Sequence, residues 1–309
     1  MRKQVVIGIS VVIGIILFVF IGSFAVKASK KIAEASGAGK KIALINITGE
    51  ITDVTHILRQ INQYTDMAAV RVIVFRVNSP GGGPGASQEL YRQVRKAKNA
   101  GKKIVVSMTD VAASGAYYVS MAADKIYANP STLTGSIGVY MSFINAEKLL
   151  EKIGVGFETV KSGQFKDTGN FSRKATEKEL ALLKGLIEDV HNQFVDDVVD
   201  ARMEPLKAVY NIESDDNENI RAALRAKLMS AIGDGRILTG REAMKLGLVD
   251  AIGNIDDAIE AAAAMAGIPG RPSVLSERRK PGFAEMLSSA LNGLGLRETQ
   301  GPVIKYIMN

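Results

Sequence analysis

From Ile42 onward, short β-branched runs alternate with segments of helical periodicity, and that alternation leaves few folds open to the chain. Ile42–Thr48 reads as a strand, and Asp53 can cap a helix that carries Ile57, Leu58, Ile61 and Tyr64 at helical spacing. Val70–Val77 (VRVIVFRV) reads as a second strand, followed by NSPGGGPGAS and a charged helix around Leu90–Ala97. Lys103–Met108 is a third strand, leading into a small-residue turn and an apolar helix over Ala113–Ala123. Further strands are expected near Lys125–Ala128 and Phe157–Val160, with a helix around Ala146–Lys152 between them. Thr176 and Glu179 have the spacing of a capping box that opens a long helix, with Leu180, Leu183, Ile187, Val190, Phe194 and Val198 along one face. The order of elements predicts an α/β fold with largely parallel strands whose ends turn their loops toward one site.

Before this region stands Val5–Val26, 22 residues without a charge. At about 1.5 Å per residue such a helix covers roughly 33 Å, enough to cross a hydrocarbon core and longer than a cleaved signal's apolar stretch. Residues 1–26 are expected to be a retained membrane anchor, ahead of a removed signal peptide or a buried soluble helix, and residues 27–41 a stalk. Basic residues flank the run on both sides (Arg2 and Lys3; Lys27, Lys30 and Lys31), so charge does not set its orientation. Residues 42–268 form the expected catalytic domain. A proline- and charge-rich tail, 269–309, follows it, and an amphipathic stretch within the tail could dock on a neighbour or on lipid.

Composition closes several functional classes. The formal charge is +7, but residues 1–41 hold seven basic side chains and a single acid, so the rest of the chain is close to neutral. No basic groove for nucleic acid is implied. With no cysteine and two histidines, thiolate chemistry and multi-histidine metal sites are excluded, and no metal or other cofactor is expected.

Three loops could carry chemistry. Asn78-Ser79-Pro80-Gly81-Gly82-Gly83 follows a strand, and its glycines expose the backbone N–H groups an oxyanion hole needs, although an ordinary strand-to-helix turn would look the same. Ala112-Ala113-Ser114-Gly115 places a serine at a helix start, where it could equally be a cap. Lys161-Ser162-Gly163-Gln164-Phe165-Lys166-Asp167 offers a base. His56 and His191 lie inside helical stretches, which leaves lysine for that role, and Lys166 near Phe165 and Phe171 is the candidate. Asp167 would hold the ammonium charged if it faced the amine, so it must be engaged elsewhere.

Together the segments RVNSPGGG, AASGAYYVSMAADKIYANPSTLTGSIGV, FETVKSGQFKDTGN and GRILTGREAMKLGLVDAIG resemble the short form of the signal peptide peptidase A family, membrane-bound Ser/Lys proteases. The resemblance covers about Ile42–Ala266 and implies a Clp/crotonase-like ββα superhelix preceded by a transmembrane helix. It implies Ser114 as nucleophile, Lys166 as general base and Ser136 as the serine that holds the lysine amine. Gly82, with Gly81 beside it, and Gly115 would supply the oxyanion hole. It further implies peptide substrates (remnant signal peptides and other small polypeptides) and a homo-oligomeric ring, an octamer by expectation. In such a ring the lysine enters from the neighbouring subunit. A single-pass location at the cell membrane with the catalytic domain extracytoplasmic completes the expectation. Met203–Ala231, with its SDDNE segment, is longer than the family's usual connection, and Lys305–Asn309 could dock in a neighbour's site. The alternatives are a crotonase-type acyl-CoA hydratase or isomerase, which would need a catalytic carboxylate, and a catalytically silent membrane scaffold.

Overall fold

The computed structural model describes residues 39–214, 216–270 and 272–277. The chain divides into two compact units, 1–275 and 276–309. The expected anchor, most of the stalk and most of the tail lie outside the described residues. Among the described residues no helix is long and apolar enough to cross a membrane.

The elements run β1 (Lys41–Thr48), α1 (Thr55–Asp66), β2 (Val70–Ser79), α2 (Pro84–Asn99), β3 (Lys103–Ala113), α3 (Gly115–Ser120), β4 (Lys125–Ala128), β5 (Leu133–Gly135) and α4 (Glu147–Lys152). They continue as α5 (Glu177–Ala201), α6 (Met203–Tyr210), α7 (Asn217–Ile232), β6 (Ile237–Thr239), α8 (Gly240–Lys245), β7 (Ala251–Ile252), α9 (Ile255–Ala266) and β8 (Val274–Ser276). β1, β2, β3, β4 and β7 pair in parallel, as do β3 and β5, and β5 pairs antiparallel with β6. The architecture is therefore mixed α/β with a mostly parallel sheet.

β2 reads as a nearly unbroken apolar run because both faces of the sheet are covered: Val70, Val72, Ile73, Val74, Phe75 and Val77 are all fully buried. On one face Ile73, Phe75 and Val77 join the main core with residues of α1, α2 and α3. On the other, Ile42, Val72, Val74 and Val105 pack under Ala258, Ala262 and Ala263 of α9. Small side chains let α9 lie close to the sheet. A capping box (Asn254 with Asp257) starts this helix, and Gly267, in the left-handed region at φ 60°, ends it.

β3 positions the candidate site. The sequence predicts a strand ending at Met108, but the strand runs on to Ala113 by changing partners. Val105–Met108 pair with β4, and Val111–Ala113 pair with β5. Its second half therefore keeps a backbone ladder despite the weak strand formers Asp110, Ala112 and Ala113, and it delivers Ser114 at a fixed place.

One expectation fails locally. Phe157–Val160 is not a strand: no sheet edge among the described residues offers it a ladder, and Val160 is 97% exposed. The capping box of α5 is present as expected. Its apolar face, however, is fully buried only from Phe194 onward, while Leu180 is 55% exposed. The first half of α5 packs against too little of its own chain to cover that face.

One ion pair locks the C-terminal half. Arg202, almost fully buried, donates to both carboxylate oxygens of Asp250 and to the Gly247 carbonyl. Asp250 in turn accepts from the Ile126 N–H of β4. Asp250→Ala leaves a buried guanidinium without its counter-charge, and the expected loss is about 3–5 kcal/mol, read as a lower urea midpoint.

Candidate active site

Ser114 sits between the last residue of β3 and the first of α3, at φ 52° and ψ −122°. That backbone region is costly for a residue with a Cβ and persists only where its surroundings hold it. The holding contacts are visible. The Ser114 N–H donates to the Gly135 carbonyl (2.9 Å), and the Ser114 carbonyl accepts from the Tyr118 N–H (2.9 Å). Ser136, the next residue after Gly135, is also at positive φ (51°), and its N–H donates to the Arg236 carbonyl. Ser114 and Ser136 are thus tied to one another through a single backbone bond and one peptide link.

The glycine loop presses against this junction. Gly81 lies at φ +104°, and a Cβ there would come within 2.9 Å of the Ser114 Cβ and 2.8 Å of the Gly115 nitrogen. A Cβ on Gly82 would fall 2.2 Å from the Ile51 carbonyl oxygen. Ile51 clamps the loop from outside: its N–H donates to the Gly81 carbonyl, and its carbonyl accepts from the Gly83 N–H. The N–H groups of Gly82 and Gly115 donate to no acceptor among the described residues. Two free amides at one end of a cavity, beside a serine hydroxyl, can stabilise negative charge on an oxygen bonded to that serine.

Ser114, Gly82 and Gly115 line a small cavity of about 90 Å³, walled on its apolar side by Tyr118, Val139, Val190 and Phe194. Tyr118 is held edge-on between Tyr91 and Phe194, with ring centroids 5.0 Å away in each case, and its hydroxyl donates to Asp197 of α5. Burial, and then the Asp197 carboxylate beside it, push the Tyr118 hydroxyl well above its usual range, so it stays protonated. Ser87 and Gln88 of α2 also line the cavity; sequence reasoning missed both, as it missed Tyr118. The positions of Ser87 and Tyr118 could be inferred only once α2 and α3 are known to pack together, and no local signal marks them.

The third loop is arranged differently. Lys166 is exposed, makes no side-chain hydrogen bond or ion pair among the described residues, and does not line the cavity. Within one chain the structure brings Ser114, Ser136, Gly81, Gly82 and Gly115 together and leaves Lys166 apart. Asp167 is engaged away from it, by Lys161 and by Arg173, which also grips Glu179 of the α5 capping box. Arg173 first, and then Lys161, hold the Asp167 carboxyl well below the usual carboxylate range. Arg173 is likewise the main cause that lowers Glu179, from 4.5 to about 2. Both carboxyls titrate lower when folded than when unfolded, so their contribution is complete above the unfolded value and is lost as pH falls from about 4.5 toward 2. Proteolytic nicking within residues 161–179 is expected to rise over that window, and Arg173→Ala should permit it at neutral pH.

A strained serine at a strand-to-helix junction that shares a cavity with two free glycine amides is the arrangement a serine-type hydrolase needs. Residues 96–233, which include Ser114 and the third loop, match the model of peptidase family S49. A Synechocystis sp. protein provisionally named a protease is 34% identical over 84% of this chain and 90% of its own. The Arabidopsis thaliana chloroplastic serine protease SPPA is 30% identical over 84% of this chain, and protease 4 of Salmonella typhi is 36% identical over 64%. This chain spans only 37% and 28% of those two relatives. The chain belongs to peptidase family S49.

Proposed function

We propose that the protein is a membrane-anchored serine endopeptidase of signal peptide peptidase type, built on a Clp/crotonase-like domain. Ser114 attacks the scissile carbonyl while a neutral Lys166 takes its proton, and the Gly82 and Gly115 amides receive the oxyanion, with Gly81 shaping the loop. The lysine then passes the proton to the leaving amine, and water hydrolyses the acyl-enzyme. Ser136 orients the lysine amine. Lys166 comes from a neighbouring copy in a homo-oligomeric ring, with an octamer as the expected size. Substrates are remnant signal peptides and other small polypeptides met at the outer side of the cell membrane, and the apolar cavity wall suits small or aliphatic side chains next to the cleaved bond.

The observation that carries this reading is the strained Ser114 with the free amides of Gly82 and Gly115 at the same cavity. Among the described residues no Asp or Glu lines that cavity, which favours the serine reading over a hydratase or isomerase, since these need a carboxylate there. A fluorophosphonate probe followed by peptide mapping tests the assignment. Labelling is expected on Ser114 alone, together with peptide hydrolysis that Ser114→Ala abolishes. Absence of labelling, or labelling without turnover, returns the chain to the silent-scaffold alternative.

A further inference from the structure

The sheet carries a second concavity, on the face opposite α1–α3. There α9 covers Ile42, Val72, Val74 and Val105, and beyond its first turn the same face becomes polar. Asn46, Arg76 and Ser107 form one cross-strand row, because Asn46 is registered with Arg76 and Arg76 with Ser107. Thr48 and Asn78 begin the next row, and Asp110 stands at the rim. These side chains line a cavity of about 360 Å³ at the carboxyl ends of parallel strands, where open α/β sheets bind ligands.

Three features show what this cavity lacks. Ser107 is 1% exposed, lines the cavity, and its hydroxyl has no hydrogen-bond partner. A hydroxyl buried this way costs free energy, which a ligand oxygen would recover once the Ser107 side chain turns into the cavity. Arg76 and Asp110 line the same cavity, yet no ion pair joins them or engages either one among the described residues. Opposite charges that share a concavity without closing on each other leave room for a molecule that carries both signs. The N-terminus of α9 does not compete for an anion, because its first N–H groups are taken by Asn254 and its first turn bears Asp256 and Asp257.

We propose that this concavity binds a small zwitterion, a short peptide with free termini or an amino acid. Its carboxylate would lie on Arg76 and Ser107, and its ammonium would face Asp110. Arg76 can take the carboxylate through two parallel N–H donors, and the asparagine and threonine side chains supply partners for a peptide unit between the termini. The site is separate from the Ser114 cavity, with which it shares no lining residue.

Titration calorimetry of the full chain with the dipeptide Ala-Leu tests this. Saturable binding is expected, weakened by about tenfold or more when the dipeptide is N-acetylated or C-amidated. Arg76→Gln and Asp110→Asn should each cause a loss of that size, whereas Ser114→Ala should bind as the unaltered chain does. The proposal is overturned by absence of saturable binding, by equal binding of the blocked dipeptides, or by unchanged affinity in both variants. Loss of binding in Ser114→Ala also overturns it, because the dipeptide would then occupy the serine cavity. The blocked dipeptides are tested on the unaltered chain, so the result does not depend on how well either variant folds.

Discussion

Mixing two inactive variants, Ser114→Ala and Lys166→Ala, is expected to restore peptide hydrolysis. Each alone should lose roughly 10⁴-fold or more, since nucleophile and base act as a unit. If each site takes its serine from one copy and its lysine from the next, random co-assembly leaves about a quarter of the sites intact. The reason to expect this lies in where the chain puts its groups. Ser114 is half-buried and lines a formed cavity, whereas Lys166 is exposed and does not line it. A lysine amine in water keeps its proton at neutral pH and cannot serve as a base; it needs a water-poor partner surface. The segment that carries Lys166 also exposes Tyr140 and Ile144 (81% each) and Val160 (97%), and the neighbouring half of α5 exposes Leu180. Apolar side chains in such number are what a neighbouring copy would cover, and covering them would desolvate the lysine on the same occasion. If mixing restores nothing while each variant still assembles, the base is supplied within one chain or is not Lys166.

How far the sequence could be read depends on which interactions decided each element. Val70–Val77 was legible because burial on both faces demands an unbroken apolar run, and the α5 capping box because its bonds span only three residues. The Ser114 and Gly81–Gly82 loops were legible as loops, but their approach depends on the Ile51 clamp, which lies some thirty residues away in sequence and has no local signature. Residues 109–113 were invisible as strand because the pairing of Val111–Ala113 with β5 is a tertiary matter, and Asp110, Ala112 and Ala113 interrupt the strand-like pattern. Phe157–Val160 shows the opposite error: strand-like composition without a neighbouring edge gives no strand. Its apolar residues, and those of the first half of α5, carry the pattern of burial without being buried in this chain.

The glycines at the serine junction should separate into two kinds under substitution by alanine. In Gly82→Ala the new methyl meets backbone: 2.2 Å from the Ile51 carbonyl oxygen and 2.6 Å from the Ile51 nitrogen. Neither atom can move without breaking the bonds by which Ile51 holds Gly81 and Gly83, so the loop must shift and carry the Gly82 amide with it. Loss of one oxyanion donor costs about 10²–10³ in kcat, with little change in KM because the donor acts on the transition state. No second substitution should rescue it. In Gly115→Ala the obstacle is a side chain: the Ser87 hydroxyl oxygen at 2.2 Å, with the Ser87 Cβ farther off at 3.2 Å. Removing that oxygen by Ser87→Ala gives up one bond to the Gly83 carbonyl and opens the space. The double variant Gly115→Ala/Ser87→Ala is therefore expected to recover at least about tenfold of the activity lost in Gly115→Ala, a coupling of more than about 1 kcal/mol. A double variant no better than Gly115→Ala would mean that the methyl disturbs the Ser114 backbone itself rather than its neighbour across the cavity.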